Sequence, residues 1–510
     1  MKSLIELVKA CQPRSVIRLL EGNSTVAAED SKIRKLYDLI LEEQKTEEEI
    51  VQVLYGKGRL PTLGKYKTLK TRLRHILVQC FLMEQPKEPS YLTYDQAYHF
   101  GYQQLAAGRM LAGKGAHNAA RKVLLLTLQY VKDYEIIHLN HGLTEMLAGL
   151  HLGTAYSEDL FQRYLQLAAY YSEAAYDLDL LNNRYRQVRN SIYSQRSSPM
   201  DIGIMAAKFV AECAHLPAKY PNISLLQGIF AILEITSFMQ QGLYEKAIEA
   251  SLRGTAALER CKGASHSTLS MLALSRVECT IKLGDYQRGL EQIELARKTI
   301  SKNSINELKL TEYAIQLGLR TGNYDLAYLE LAQLNRPKLK SLILERHIEY
   351  WQILEAYVNV LFLAGKITPQ EDWPELPKFK MRKFVNNVPA YSKNKKGMNT
   401  QVLITHILFL LVQKEYDEVT ERIEALANYC KRYLREDENL RNNCFFKLLS
   451  IASQSSFFRQ LADQKGRKTL ERMQNAKEYA SNKDAEIVPY EHLWEIILNQ
   501  LTGPGVHQQN

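Results

Sequence analysis

Small and apolar residues fall at the same three steps after each of four tyrosines. Three of the tyrosines sit in one phrase: Gly242-Leu243-Tyr244-Glu245-Lys246-Ala247, Gly284-Asp285-Tyr286-Gln287-Arg288-Gly289 and Gly322-Asn323-Tyr324-Asp325-Leu326-Ala327. A fourth, Lys414-Glu415-Tyr416-Asp417-Glu418-Val419, keeps everything but the glycine. The third, seventh and tenth positions after each tyrosine are Ala247, Ser251 and Gly254; Gly289, Ile293 and Ala296; Ala327, Leu331 and Leu334; Val419, Ile423 and Leu426. Such steps return to one side of an α-helix, so each tyrosine is expected to open a helix with one buried face. The glycine two residues earlier suits a left-handed turn that ends the preceding helix. The predicted unit is a helical hairpin, which cannot bury its own apolar side and must stack on its neighbours.

The rest of the chain reads the same way. Thr46 and Glu49 form a capping-box pattern for a short helix ending at Gly56. Breaks are expected at Glu84–Pro89, Gly113–Gly115, Leu152–Gly153, Ser197–Pro199, Pro217–Pro221, Gly263–Ser265, Ser301–Ser304 and Asn335–Pro337. No window alternates with period two, so no sheet is predicted. Segment 366–400 departs from the pattern, because Pro369, Pro374, Pro377 and Pro389 forbid one continuous helix. The expected organisation is an N-terminal helical domain over 1–88, a helical-hairpin array over 89–365, an irregular connection over 366–400, C-terminal helices over 401–500 and a tail over 501–510.

The hairpin phrase resembles the second helix of the tetratricopeptide repeat, which typically starts G-x-Y-x-x-A. The resemblance covers roughly 230–335, with an echo around Tyr416. The tyrosines recur about every 40 residues, longer than the family's roughly 34-residue unit. The family's W-x-x-L-G-x-x-Y first helix is absent. The resemblance implies an all-α, tetratricopeptide-like α-solenoid and a scaffold that holds a protein or peptide on its concave side.

Composition narrows the function. The chain has 510 residues, 46% of them hydrophobic and 24% charged, and only 14 prolines. Glu6 and Lys9 interrupt what would be the apolar core of a signal peptide, and no stretch reaches about 18 uncharged apolar residues. Cys11, Cys80, Cys213, Cys261, Cys279, Cys430 and Cys444 are scattered and contain no C-x-x-C pair. A cytoplasmic chain with no membrane partner is therefore expected. The net charge of +10, from 66 basic and 56 acidic residues, permits anionic partners without demanding them.

Two basic clusters carry the candidate chemistry. The first runs through Lys57, Arg59, Lys65, Lys67, Lys70, Arg72 and Arg74 with no acidic residue. On a helix from about Thr62, Lys67, Lys70 and Arg74 would share one face, while Leu63, Tyr66, Leu69, Leu73 and Ile76 would form the buried one. Behind the Thr46–Tyr55 helix this loosely resembles a helix-turn-helix, with a longer turn than usual. The cluster fits nucleic-acid phosphates, a solvated surface, or an acidic partner such as the chain's own Glu42–Glu49. The second comprises Lys378, Lys380, Arg382, Lys383, Lys393, Lys395 and Lys396 with Phe379, Phe384 and Tyr391 between them. It suits single-stranded nucleic acid, or a loop that anchors its aromatics and leaves its lysines in water; the second is favoured.

Two Glu-x-x-His pairs, Glu135/His138 with His141 nearby and Glu212/His215, match part of a di-iron pattern, but chance supplies about as many. No phosphate loop, H-E-x-x-H or G-x-S-x-G occurs; Gly56-Lys57-Gly58 and Gly113-Lys114-Gly115 are too short. The expectation is a non-enzymatic scaffold without cofactor, metal or catalytic residues. The alternative is a nucleic-acid-binding regulator that uses Lys57–Arg74, with the repeats as its interaction arm.

Overall fold

The computed structural model describes the chain except for residues 23–26, 43–44, 57–62, 84–92, 153–155, 195–196, 303, 335–344, 383, 385–397, 434–439, 476–485 and 502–510. The Glu84–Pro89 break, Gly153, the Asn335–Pro337 turn, most of the second half of 366–400 and most of the tail lie outside the described residues. Those residues are all-helical, with no strand among them. They form two compact units, Met1–Ser172 and Glu173–Asn510, and the division falls inside one long helix.

The first unit opens with α1 (Lys2–Ala10), α2 (Pro13–Gly22), α3 (Ala27–Leu41), α4 (Glu47–Tyr55) and α5 (Leu63–Met83). Thr46 and Glu49 form the reciprocal capping box: the Thr46 N–H donates to the Glu49 carboxylate at 2.7 Å, and the Glu49 N–H donates to the Thr46 hydroxyl at 3.3 Å. Leu4, Val8, Val16, Leu36, Tyr37, Leu73 and Leu77 share one core. A second core, with Leu105, Leu124, Leu139, Leu143 and Leu147, joins α6 (Tyr94–Gly113), α7 (His117–Val131), α8 (Ile137–Leu150) and the start of α9 (Glu158–Ser194).

The second unit continues with α10 (Pro199–Cys213), the one-turn α11 (Leu216–Lys219), α12 (Ser224–Gln240), α13 (Tyr244–Glu259), α14 (His266–Leu283), α15 (Tyr286–Thr299), α16 (Ile305–Thr321) and α17 (Tyr324–Ala332). It ends with α18 (Glu345–Leu363), α19 (Met398–Val412), α20 (Tyr416–Tyr433), α21 (Leu440–Gln454), α22 (Arg459–Gln474) and α23 (Tyr490–Gln500). The helices α12/α13, α14/α15 and α16/α17 pair as hairpins, and each hairpin packs on the next. The first helices α12, α14 and α16 also pack directly on their successors.

The turns explain why these residues fold this way. Gly242, Gly284 and Gly322 have φ of 73°, 75° and 78°, a region costly for any residue with a Cβ. In the first two turns the chain closes with the bond that seals a left-handed helix end: Leu243 N–H donates to Phe238 O at 2.9 Å and Asp285 N–H to Thr280 O at 3.3 Å. The same bond recurs at Ala116 to Leu111, Glu415 to Leu410 and Phe457 to Ala452. These extra turns place Gly115, Lys414 and Ser456 in the left-handed region.

The spaced face is buried as the pattern requires. Ala247, Ser251, Gly254, Gly289, Ile293, Ala296, Ala327, Leu331, Val419, Ile423 and Leu426 are buried, and Leu334 is half-buried. Close approach needs the small ones: a Cβ on Gly254 would lie 2.5 Å from the Ala231 Cβ, and one on Gly289 would lie 2.7 Å from Leu317 Cδ1. Tyr244 is buried, while Tyr286, Tyr324 and Tyr416 are half-buried at their hairpin junctions.

Candidate functional site

The first basic cluster lies on α5, with Lys57 and Arg59 outside the described residues. Tyr66, Leu69 and Leu73 form the buried side and Ile76 is half-buried. The cationic side is divided. Lys70 pairs with Glu47 of α4 at 2.6 Å and lies 4.7 Å from the Tyr66 ring centre, which holds the Glu47 carboxyl below its usual range. Part of the cluster thus meets the chain's own acidic helix. Arg74 reaches the Ser3 hydroxyl at 3.5 Å.

Lys67 instead opens onto a groove of about 640 Å³ with Arg72 and His75, over Ile33 and Ile76. Thr68 and Thr71 complete the lining. Their hydroxyls donate to the carbonyls of Gly64 and Lys67, so toward the groove they offer lone pairs and not protons. Cationic recognition there rests on Lys67 and Arg72, with the His75 imidazole beside them and exposed Lys65 nearby on the same helix.

In the second cluster, Lys378, Lys380 and Arg382 are exposed, whereas Lys383, Lys393, Lys395 and Lys396 lie outside the described residues. Phe384 is buried in the core of the second unit, and its ring centre is 5.7 Å from that of half-buried Phe379. For the described part, the aromatics anchor the segment and the cations face water.

The Glu-x-x-His residues are engaged otherwise. Burial raises the Glu135 carboxyl while Tyr171 donates to it, and His138 is exposed. Glu212 pairs with Arg184 at 2.7 Å. Among the described residues, no three His, Cys, Asp or Glu side chains converge as metal ligands. No described helix is long and apolar enough to cross a membrane.

The first helices of the second unit carry a row of polar groups. Tyr313 donates to Glu278 at 2.5 Å, and Lys309 and Gln316 donate to Glu312 at 2.5 and 3.2 Å. Lys282, Gln316, Arg320 and Tyr350 then surround a small pocket of about 40 Å³, where Arg320 donates to the Glu486 carbonyl at 3.0 Å. Sequence reading missed this row, since its members are four-residue steps on different helices with no local motif. No family model, curated protein or solved structure matches the chain.

Proposed function

We propose that the Glu173–Asn510 unit is a tetratricopeptide-like α-solenoid that binds a protein or peptide on its concave side and catalyses no reaction. One observation carries the reading: consecutive hairpins use the same left-handed turn and the same small-residue seam, so the unit extends by stacking. The direct packing of first helix on first helix favours that layer as the inner side of the curve. Its mixed row of Glu278, Lys282, Glu312, Gln316 and Arg320 suits the polar, orienting part of a peptide-binding surface.

The test places a photo-crosslinking amino acid at Met271 or Gln316 on the first helices and at Lys246 or Lys298 on the second helices of the full chain, in the native cell. Protein adducts concentrated at Met271 and Gln316 are expected. Absence of protein adducts at both positions overturns the reading.

The groove on α5 favours a second reading, in which the first unit contacts nucleic acid. Two cationic side chains, Lys67 and Arg72, with the His75 imidazole beside them on one concave surface, suit a phosphate backbone. Binding of a duplex or single strand that weakens steeply with salt and is lost in Lys67→Glu/Arg72→Glu would support it; no mobility shift at low salt ends it.

A further inference from the structure

Arg276 on α14 is 9% exposed, and a charge so buried normally has an anionic partner. Here every bonded oxygen is neutral. Nη1 donates to the Ser251 and Thr255 hydroxyls at 3.0 and 2.9 Å, and Nε donates to Gln292 Oε1 at 3.2 Å. The hydroxyls are fixed as acceptors, because Ser251 spends its proton on Leu272 O at 2.9 Å and Thr255 spends its own on Ser251 O at 2.9 Å. Nη2 has no hydrogen bond among the described residues, and it is not among the fully buried unsatisfied atoms. Nη2 therefore keeps its protons unspent and is not fully sealed from solvent. Burial lowers the Arg276 pKa, and the field of exposed Glu259 on α13 only partly opposes this without bonding to it.

Arg276 lies between α13 and α15, since its acceptors come from those two helices. Glu245 of α13 and Arg288 of α15 pair across one end at 2.8 Å. Seven residues on from each, on the same helical faces, stand Leu252 and Leu295, which are 53% and 49% exposed. Thr255 and Gln292, which grip Arg276, belong to those faces too. The two helices that grip this sunken cation, which has no bonded counterion, each carry an open leucine.

The geometry points to this seam as a docking slot for an acidic segment of a partner protein: a Glu or Asp carboxylate pairs with Arg276 Nη2, and apolar neighbours contact Leu252 and Leu295. This site lies between second helices and is independent of the first-helix surface proposed above, so crosslinking at Met271 and Gln316 tests that reading separately. A free small carboxylate would leave both leucines unused.

The test uses the full chain with 15N-labelled arginine, the Arg276 signal being identified by its loss in Arg276→Lys. The probes are acetyl-Leu-Glu-Leu-amide, its Gln analogue and acetate. The Glu peptide should shift the Arg276 signal; the Gln analogue should bind about tenfold weaker or more through loss of the charge-assisted bond, and acetate about tenfold weaker through loss of the leucine contacts. Leu252→Ser/Leu295→Ser should weaken the Glu peptide while leaving the acetate response unchanged. Arg276→Met should abolish binding and melt at or above the wild-type temperature, since it removes an uncompensated buried charge. No Arg276 shift, an equal shift with the Gln analogue, acetate binding as tightly as the Glu peptide, or a large fall in melting temperature for Arg276→Met would show a purely structural tie and overturn the proposal.

Discussion

Gly289→Ala should destabilise the chain, although the same change in an open helix gains up to about 1 kcal/mol. The added methyl would sit 2.7 and 2.8 Å from the two terminal carbons of Leu317, which is fully buried on α16. Forcing such a contact costs about 1–3 kcal/mol, so the net change is a loss of up to roughly 2 kcal/mol after the helical gain. Leu317→Ala alone should lose about 2–5 kcal/mol through its cavity. In that background the obstacle is gone, and Gly289→Ala should become neutral or stabilising by up to about 1 kcal/mol. The sign reversal is the prediction, and a double-mutant cycle measures it. Urea unfolding followed by tryptophan fluorescence suits the purpose, because Trp351, Trp373 and Trp494 all lie in the unit that holds the pair. A Gly289→Ala gain in the wild-type background, or an equal cost in both, would refute the close approach of α15 and α16.

Four further substitutions probe other parts of the account. Arg441 is buried, bonds both Glu486 oxygens at 2.9 and 2.6 Å and also reaches half-buried Glu491 at 2.8 Å; Arg441→Ala should lose about 3–5 kcal/mol in urea unfolding, as the buried Glu486 carboxylate is left without a cation. Glu349 is buried with Oε1 lacking a partner among the described residues, and burial raises its carboxyl pKa. Its stabilising contribution is complete below the unfolded carboxylate value of about 4.3 and is lost as pH rises through the raised folded one. Glu349→Gln should therefore match wild type near pH 4 and exceed it at pH 8, by urea midpoints. Lys414 holds φ of 63° where the other three tyrosine turns have Gly242, Gly284 and Gly322, so Lys414→Gly should gain about 1 kcal/mol and Gly322→Ala should lose a similar amount, both read from the urea midpoint.

The three glycine hairpins were legible because a left-handed turn requires a particular residue and a helical face repeats at fixed steps. Where another residue fills the role, the signal fades. Gly115 and His117 open α7 just as Gly242 and Tyr244 open α13, with Ala120, Leu124 and Thr127 buried at the same steps, but no tyrosine marks them. Ser456 and Phe457 turn the chain into α22, which buries Ala462, Gly466 and Thr469, with neither glycine nor tyrosine. The basic cluster was visible as charge, yet its division was not: only the packed α4 gives Lys70 to Glu47 and leaves Lys67 with Arg72 and His75. Arg276 carried no sequence signal at all, because its acceptors come from two other helices and its lack of a bonded carboxylate is a tertiary fact.

The hairpin seams are tested most directly by nuclear Overhauser contacts in a perdeuterated chain with protonated alanine and leucine methyls and glycine α-positions. The Ala231 methyl should show strong cross-peaks to Gly254, and the Leu317 methyls to Gly289, each joining two helices. Cross-peaks from these glycines confined to their own helices would contradict the stacked-hairpin account.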